Sequence, residues 1–137
     1  MTENKLKELI NNDLQNENKV EQTEDDGRII KLTKENINDF LSKHVCVVID
    51  FYSDTCPPCH RMKPVLNELA EEFKGKIAFA KVHTKEERAI AEALQVKAHP
   101  TFYFFHEGFP ILFFIGEKKK SDFIQLMKIQ FPNLKEN

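Results

Sequence analysis

From residue 28 onward the chain alternates between short apolar runs and segments whose apolar residues recur every three or four positions. "RIIKL" reads as a short strand, and "KENINDFLSK" as a helix that Thr33 can cap. "VCVVIDFY" is a continuous β-branched and aromatic run, the pattern of a central strand covered on both faces. A helix then follows to about Phe73, with Met62, Val65, Leu66, Leu69 and Phe73 on one face and Pro64 expected to kink it. "KIAFAKV" is a strand and "KEERAIAEAL" a helix. "TFYFF" and "ILFFI" are strands joined through "HEGFP", and "SDFIQLMKIQF" is a closing helix capped by Ser121 or Asp122. The order β-α-β-α-β-α-β-β-α predicts an α/β fold. Crossover helices make the early strands parallel, the last hairpin is antiparallel, and helices cover both faces of a mixed sheet.

Residues 1–27 break this pattern. They are polar, lack any aromatic residue and read as an acidic leader, with the domain occupying residues 28–137. Leu6, Leu9, Ile10 and Leu14 have the spacing of a short amphipathic helix, marginal on its own in water. The leader holds three lysines against eight acidic residues, while the remainder holds 17 basic against 14 acidic. No basic stripe suited to nucleic acid follows from this balance, and Lys118, Lys119 and Lys120 read as solvated loop charges.

Composition places the chain in a broad class. With 137 residues, 41% hydrophobic and 31% charged, it suits one globular domain with a real core. The start "MTENKLKELINNDL" has no apolar signal region, and no run approaches a membrane span, so the expectation is a cytoplasmic protein with no membrane association. Three cysteines, an odd count, argue against a structural disulfide scaffold. Cys46, within "HVCVVIDF", reads as a buried, inert thiol.

The chemistry concentrates in "SDTCPPCHRMKP". Cys56-Pro57-Pro58-Cys59-His60 fits a redox dithiol, half of a zinc site or a haem-attachment stretch. Cys56 falls at a strand-to-helix turn, where free N–H groups and the helix dipole stabilise a thiolate. Pro57 and Pro58 suit the first helical positions, leaving the Cys59 N–H as the nearest donor to the Cys56 sulfur. One helical turn brings the two sulfurs within bonding reach. Zinc wants further ligands, but Cys46 is in a buried strand and His83, His99 and His106 lie on separate segments. Haem attachment usually requires export, and Met62 or Met127 would serve as a distal ligand only by coincidence.

"VVIDFYSDTCPPCHRMKP", "AFAKV" and "VKAHPTFYFF" together resemble the thioredoxin family in order and spacing, over about residues 28 to 131. The resemblance implies the thioredoxin fold and a thiol–disulfide oxidoreductase that needs no bound cofactor, because Cys56 and Cys59 carry the electrons. It implies an exposed Cys56 as attacking thiolate and Cys59 as resolving thiol. Asp50 corresponds to the family's buried acid, with Lys81 as its companion. Burial should raise the Asp50 pKa, which suits a proton acceptor for Cys59, and Lys81 should oppose the rise. Pro100 corresponds to the cis-proline facing the dithiol, leaving neighbouring backbone groups free for an extended substrate segment. Gly116 resembles the glycine beside that groove, and Thr55, Pro57 and His99 complete the substrate-binding set.

The chain departs from the family pattern where Thr55 and Tyr52 stand in place of tryptophans and where His60 and His99 are histidines. As cations, His99 and secondarily His60 would stabilise the Cys56 thiolate. Expected partners are disulfide-containing proteins and an NADPH-dependent thioredoxin reductase, although Thr55 offers a reductase less surface. The expected state is a monomer. The competing reading is a thioredoxin-like binding or scaffold module whose dithiol is secondary.

Overall fold

The computed structural model describes residues 27–132 and 134. Nine elements follow one another: β1 (Ile29–Lys31), α1 (Ile37–Lys43), β2 (Cys46–Tyr52), α2 (Pro57–Glu72), β3 (Ala78–His83), α3 (Arg88–Ala93), β4 (Thr101–His106), β5 (Phe109–Ile115) and α4 (Lys120–Gln130). The strands form one sheet in the order β1-β3-β2-β4-β5. β1 and β2 both run parallel to β3, whereas β4 is antiparallel to β2 and to β5. This is the expected mixed α/β sheet. The expected leader, with its Leu6–Leu14 helix, lies outside the described residues apart from Gly27.

β2 is central, and its alternation divides the core. Val47, Ile49 and Phe51 point into a cluster with Ile37, Phe40 and Leu41 of α1 and with Ile90 of α3. Cys46 and Val48 point the other way, into a cluster with Met62, Leu66 and Leu69 of α2 and Phe123 and Met127 of α4. Side chains alternate across a strand, so Asp50 continues the Cys46–Val48 series and falls on the α2 face. Register, not local sequence preference, puts this carboxylate beneath the helix that begins after Cys56.

Several boundaries differ from expectation for identifiable reasons. α1 starts at Ile37, with Asn36 and not Thr33 at the N-cap position. Thr33 and Asn36 instead close a turn ahead of it: the Thr33 N–H donates to Asn36 Oδ1 at 2.7 Å, and the Asn36 N–H to Thr33 Oγ1 at 3.3 Å. α3 loses its expected first turn because His83 captures that turn's donors. The Glu86 N–H goes to His83 Nδ1 at 3.2 Å and the Glu87 N–H to the His83 carbonyl at 2.9 Å. α4 begins at Lys120, and neither Ser121 nor Asp122 caps it. Lys120 is not a solvated loop charge: its ammonium pairs with Glu68 and Glu72 of α2. Lys118 lies over the Phe114 ring, 4.9 Å from its centroid.

The β4–β5 connection is tighter than "HEGFP". Two residues make the turn, Glu107 and Gly108, with φ of 52° and 86°. Two positive φ values in succession suit the twist of a two-residue hairpin. The pairing then shifts between Phe104 and Phe105, so Ile111 forms a bulge on β5. α2 runs through Pro64 without interruption. Among the described residues, no helix is long and apolar enough to cross a membrane.

Candidate functional site

Strand directions bring three segments together. Because β2 and β4 are antiparallel, the end of β2, which leads to Cys56, lies beside the start of β4, which follows Pro100. β5 returns to the same end of the sheet and delivers Gly116, whose N–H donates to the Pro100 carbonyl at 2.9 Å. Gly116 has φ of 101°, a left-handed geometry that any side chain would strain. The His99–Pro100 peptide is cis. Among the described residues the backbone N–H and C=O of His99 take no partner. The Pro100 carbonyl is occupied, so the open backbone groups expected near the proline reside on His99.

Cys56 is the N-cap of α2, with Pro57 and Pro58 opening the helix. It is bonded to Cys59 as a disulfide. The Cys59 N–H donates to the Cys56 sulfur at 3.1 Å, as the two prolines led one to expect. The expectation of an exposed Cys56 needs correcting: in the bonded pair Cys56 is 6% and Cys59 4% exposed. Extended cap geometry, φ −141° and ψ 96°, turns Cys56 inward, while its neighbours Thr55 and Pro57 are exposed.

Asp50, which shares a cleft with Cys59, is 7% exposed, with Oδ1 lacking any hydrogen-bond partner. Burial pushes its pKa up to about 7, against the pull of the Lys81 and Lys63 charges. Lys81 stands opposite Asp50 in the β2–β3 register, and its ammonium lies 5.7 Å from the centre of the Tyr52 ring. A cleft of about 740 Å³ reaches Asp50 and Cys59 from the side of α2, lined by Lys63, Lys81, Tyr52 and His60 among others. An acid that titrates near neutrality, in one cleft with a thiol and reachable by water, can both take and return a proton.

A polar cluster that no local motif marks lies on the far side of Tyr52. The Thr84 hydroxyl lies 2.8 Å from His99 Nε2, and the Thr84 N–H donates to the Tyr52 carbonyl at 3.1 Å. His83 is buried, edge-on to Tyr52, with Nε2 3.1 Å from Asp54 Oδ2 in the loop before Cys56. That contact is close but poorly aligned, since Nε2 completes no hydrogen bond. The surroundings oppose the cation expected on His99: burial and the neighbouring His83 lower its pKa from the usual value. His60 is exposed and folds back on the loop, its Nε2 3.2 Å from the Asp54 carbonyl. Arg61 clasps Glu117 in a two-pronged pair, at 2.7 and 2.9 Å, that ties α2 to the segment after Gly116. Only the sequence separation of these partners hid them; nothing local marks residues 61 and 117 as neighbours.

A vicinal cysteine pair at a helix start, a buried acid sharing the cleft of Cys59 and a cis-proline beside it define a dithiol–disulfide site on a mixed five-stranded sheet. The thioredoxin family's sequence profile matches residues 28–129, and the chain belongs to that family. Thioredoxin H5 of Arabidopsis thaliana is 34% identical over 99 residues, which cover 72% of this chain and 83% of that protein. The chloroplastic thioredoxin Y1 of the same plant is 38% identical over 79 residues, 58% of this chain. The match spans only 46% of that plant protein, less than half its length. A solved structure of a single-site mutant thioredoxin from Halobacterium salinarum superposes with a TM-score of 0.73 at 28% identity, covering 79% of this chain and 95% of that one.

Proposed function

We propose that this chain is a thiol–disulfide oxidoreductase acting on disulfide-containing proteins. One observation carries the reading: Cys56 and Cys59 close into a disulfide, and Cys59 lines the same cleft as Asp50, a buried carboxyl whose pKa is raised to about 7. In the reduced chain the Cys56 thiolate attacks one sulfur of a substrate disulfide. A Cys56–substrate mixed disulfide forms, and the first substrate sulfur leaves as a thiolate that water protonates. Asp50 then takes the Cys59 proton. The Cys59 thiolate attacks Cys56, the second substrate thiolate leaves, and the Cys56–Cys59 disulfide holds the oxidation. Two electrons have passed to the substrate, and no bound cofactor takes part.

Thr55, Pro57, His99, Pro100 and Gly116 border the path of an extended substrate segment, with the free His99 N–H and C=O available for strand-like pairing. Lys81 moderates Asp50 through space. Turnover requires a second dithiol to reduce the Cys56–Cys59 bond, and an NADPH-dependent thioredoxin reductase is the partner that family membership suggests. The alternative, a scaffold with a secondary dithiol, gives no account of an unpaired buried Asp50 in the cleft of Cys59.

The test is trapping with Cys59→Ser. Cys56 should then hold substrate proteins as stable mixed disulfides that dithiothreitol releases, and Cys56→Ser should hold none. Equal capture by both variants would refute the mechanism.

A further inference from the structure

β5 is apolar on both faces, although only one is covered. Leu112 and Phe114 pack into the α2–α4 side of the core. The alternate residues Phe109, Ile111, Phe113 and Ile115 are 44%, 40%, 54% and 57% exposed. An edge strand with one solvated face is expected to alternate apolar with polar residues. The bulge at Ile111 turns Phe109, which pairs with His106, to the opposite face, so the solvated face carries three large apolar side chains in a row, Ile111, Phe113 and Ile115, about 14 Å long at roughly 3.4 Å per residue. Such a stripe adds little to folding while it stays in water, and contiguous patches of this kind mark contact surfaces.

Three observations narrow what it contacts. The stripe ends at Ile115, which pairs with Thr101, the residue after the cis-proline, and is followed by Gly116, whose N–H is bonded to Pro100. It therefore continues the substrate groove without a break. Pro110 lacks an N–H and the ladder is bulged beside it, so the free edge is a poor template for adding a strand and the face is the usable surface. Phe113 is held by stacking on Tyr103, centroids 5.2 Å apart and planes 19° apart, which presents its outer ring face as a rigid platform.

We propose that the outer face of β5 is a docking surface for the protein substrate itself, selecting disulfides flanked by apolar side chains. This rests on the dithiol reading above and adds a substrate class to it. A segment seated against His99 and Gly116 extends its apolar flank along Ile115, Phe113 and Ile111, and these contacts lower KM without touching the sulfurs.

The experiment uses the full reduced chain with three oxidants: hydroxyethyl disulfide, a cyclic disulfide peptide flanked by Phe and Leu, and the same ring flanked by Ser and Gln. Wild type should prefer the apolar peptide. An Ile111→Ser/Phe113→Ser variant should lose about tenfold in kcat/KM on that peptide alone, mostly through KM, the scale of one interface anchor. Hydroxyethyl disulfide and the polar peptide should react unchanged. Ile111→Lys leaves the Phe113–Tyr103 stack in place and should show the same selective loss if the double variant folds poorly. Equal use of the two peptides by wild type, or parallel losses on both, overturns the proposal. So does a wild-type dimer in sedimentation velocity that Ile111→Lys dissolves, or a gain on the apolar peptide when residues 1–26 are removed, since a second copy or the leader would then be the occupant. If hydroxyethyl disulfide is not reduced by wild type, the dithiol reading itself fails and takes this inference with it.

Discussion

Asp50 and Lys81 stand opposite one another in the parallel β2–β3 ladder, yet no ion pair joins them and Asp50 Oδ1 has no partner. The lysine acts on the acid only through space, and burial prevails: the pKa of Asp50 rises from 3.8 to about 7. Between those values the folded chain keeps a proton that the unfolded chain has released. Stability from this group therefore falls as pH rises from about 4 to about 7 and stays low above. A shift of about 3 units corresponds to at most about 4 kcal/mol. Asp50→Asn should stabilise the oxidised protein at pH 8 by up to that amount, the buried amide returning part of it. Urea unfolding at pH 8 and pH 4 checks this: the gain should vanish at pH 4, and an equal gain at both would contradict a titrating Asp50.

The same carboxyl should set the pH dependence of the second chemical step. Release of substrate from the Cys56 mixed disulfide should accelerate with an inflection near pH 7, where Asp50 ionises. In Asp50→Asn release should be slower by about 10- to 100-fold at pH 7, the low end of general-base contributions, and the inflection should disappear. Stopped-flow release of a fluorescent thiol from the preformed mixed disulfide reads both.

His99 is disfavoured as a cation by burial and by His83, so it should titrate below the usual 6.5. Its folded pKa is depressed, so stability from this group is present above about pH 6.5 and is lost as pH falls below it. Burial and His83 thus work against the cation that would lower the Cys56 pKa by charge. Alkylation of reduced His99→Ala by iodoacetamide, followed from pH 5 to 9, should give the wild-type Cys56 midpoint. A midpoint raised by a full unit would restore the cationic role for His99.

Gly116→Ala places a side chain where φ is 101°. The space around it is open, so the cost is backbone strain alone, about 1–3 kcal/mol. Relaxing that strain displaces the N–H that holds the Pro100 carbonyl. Peptide disulfides should show a raised KM, while hydroxyethyl disulfide, which needs no backbone pairing, should be reduced at the wild-type rate.

Phe104 is fully buried and contacts the rings of Phe114, Phe123 and Phe131. Phe104→Ala should cost about 3–5 kcal/mol, because α2 and α4 cannot close over the space left. A fall in the urea midpoint of that order, at unchanged slope, is the expected outcome.

Apolar patterning identified nine elements and their order, because an unbroken apolar run marks a strand covered on both faces, such as β2, and a spacing of three to four marks a helix with one buried face, such as α2. Ends were less legible. The length of α3 depends on His83 capturing two N–H groups, and the start of α4 coincides with ion pairs reaching Lys120 from α2. His83 is a near neighbour in sequence, but its capture of those groups has no periodic signature, and Glu72 lies 48 residues from Lys120.

The site divides along the same line. Cys56, Pro57, Pro58 and Cys59 are contiguous, so their chemistry is written in the sequence, including the Cys59 N–H aimed at the Cys56 sulfur. The lowered pKa of His99, the Thr84–His99 and Arg61–Glu117 contacts and the exposed stripe on β5 were decided by chain segments meeting in space. Covalent neighbours fix reactivity within a turn, because their distances hardly change with the fold. Burial and long-range partners set pKa and exposure, and these exist only once the sheet has chosen its strand order.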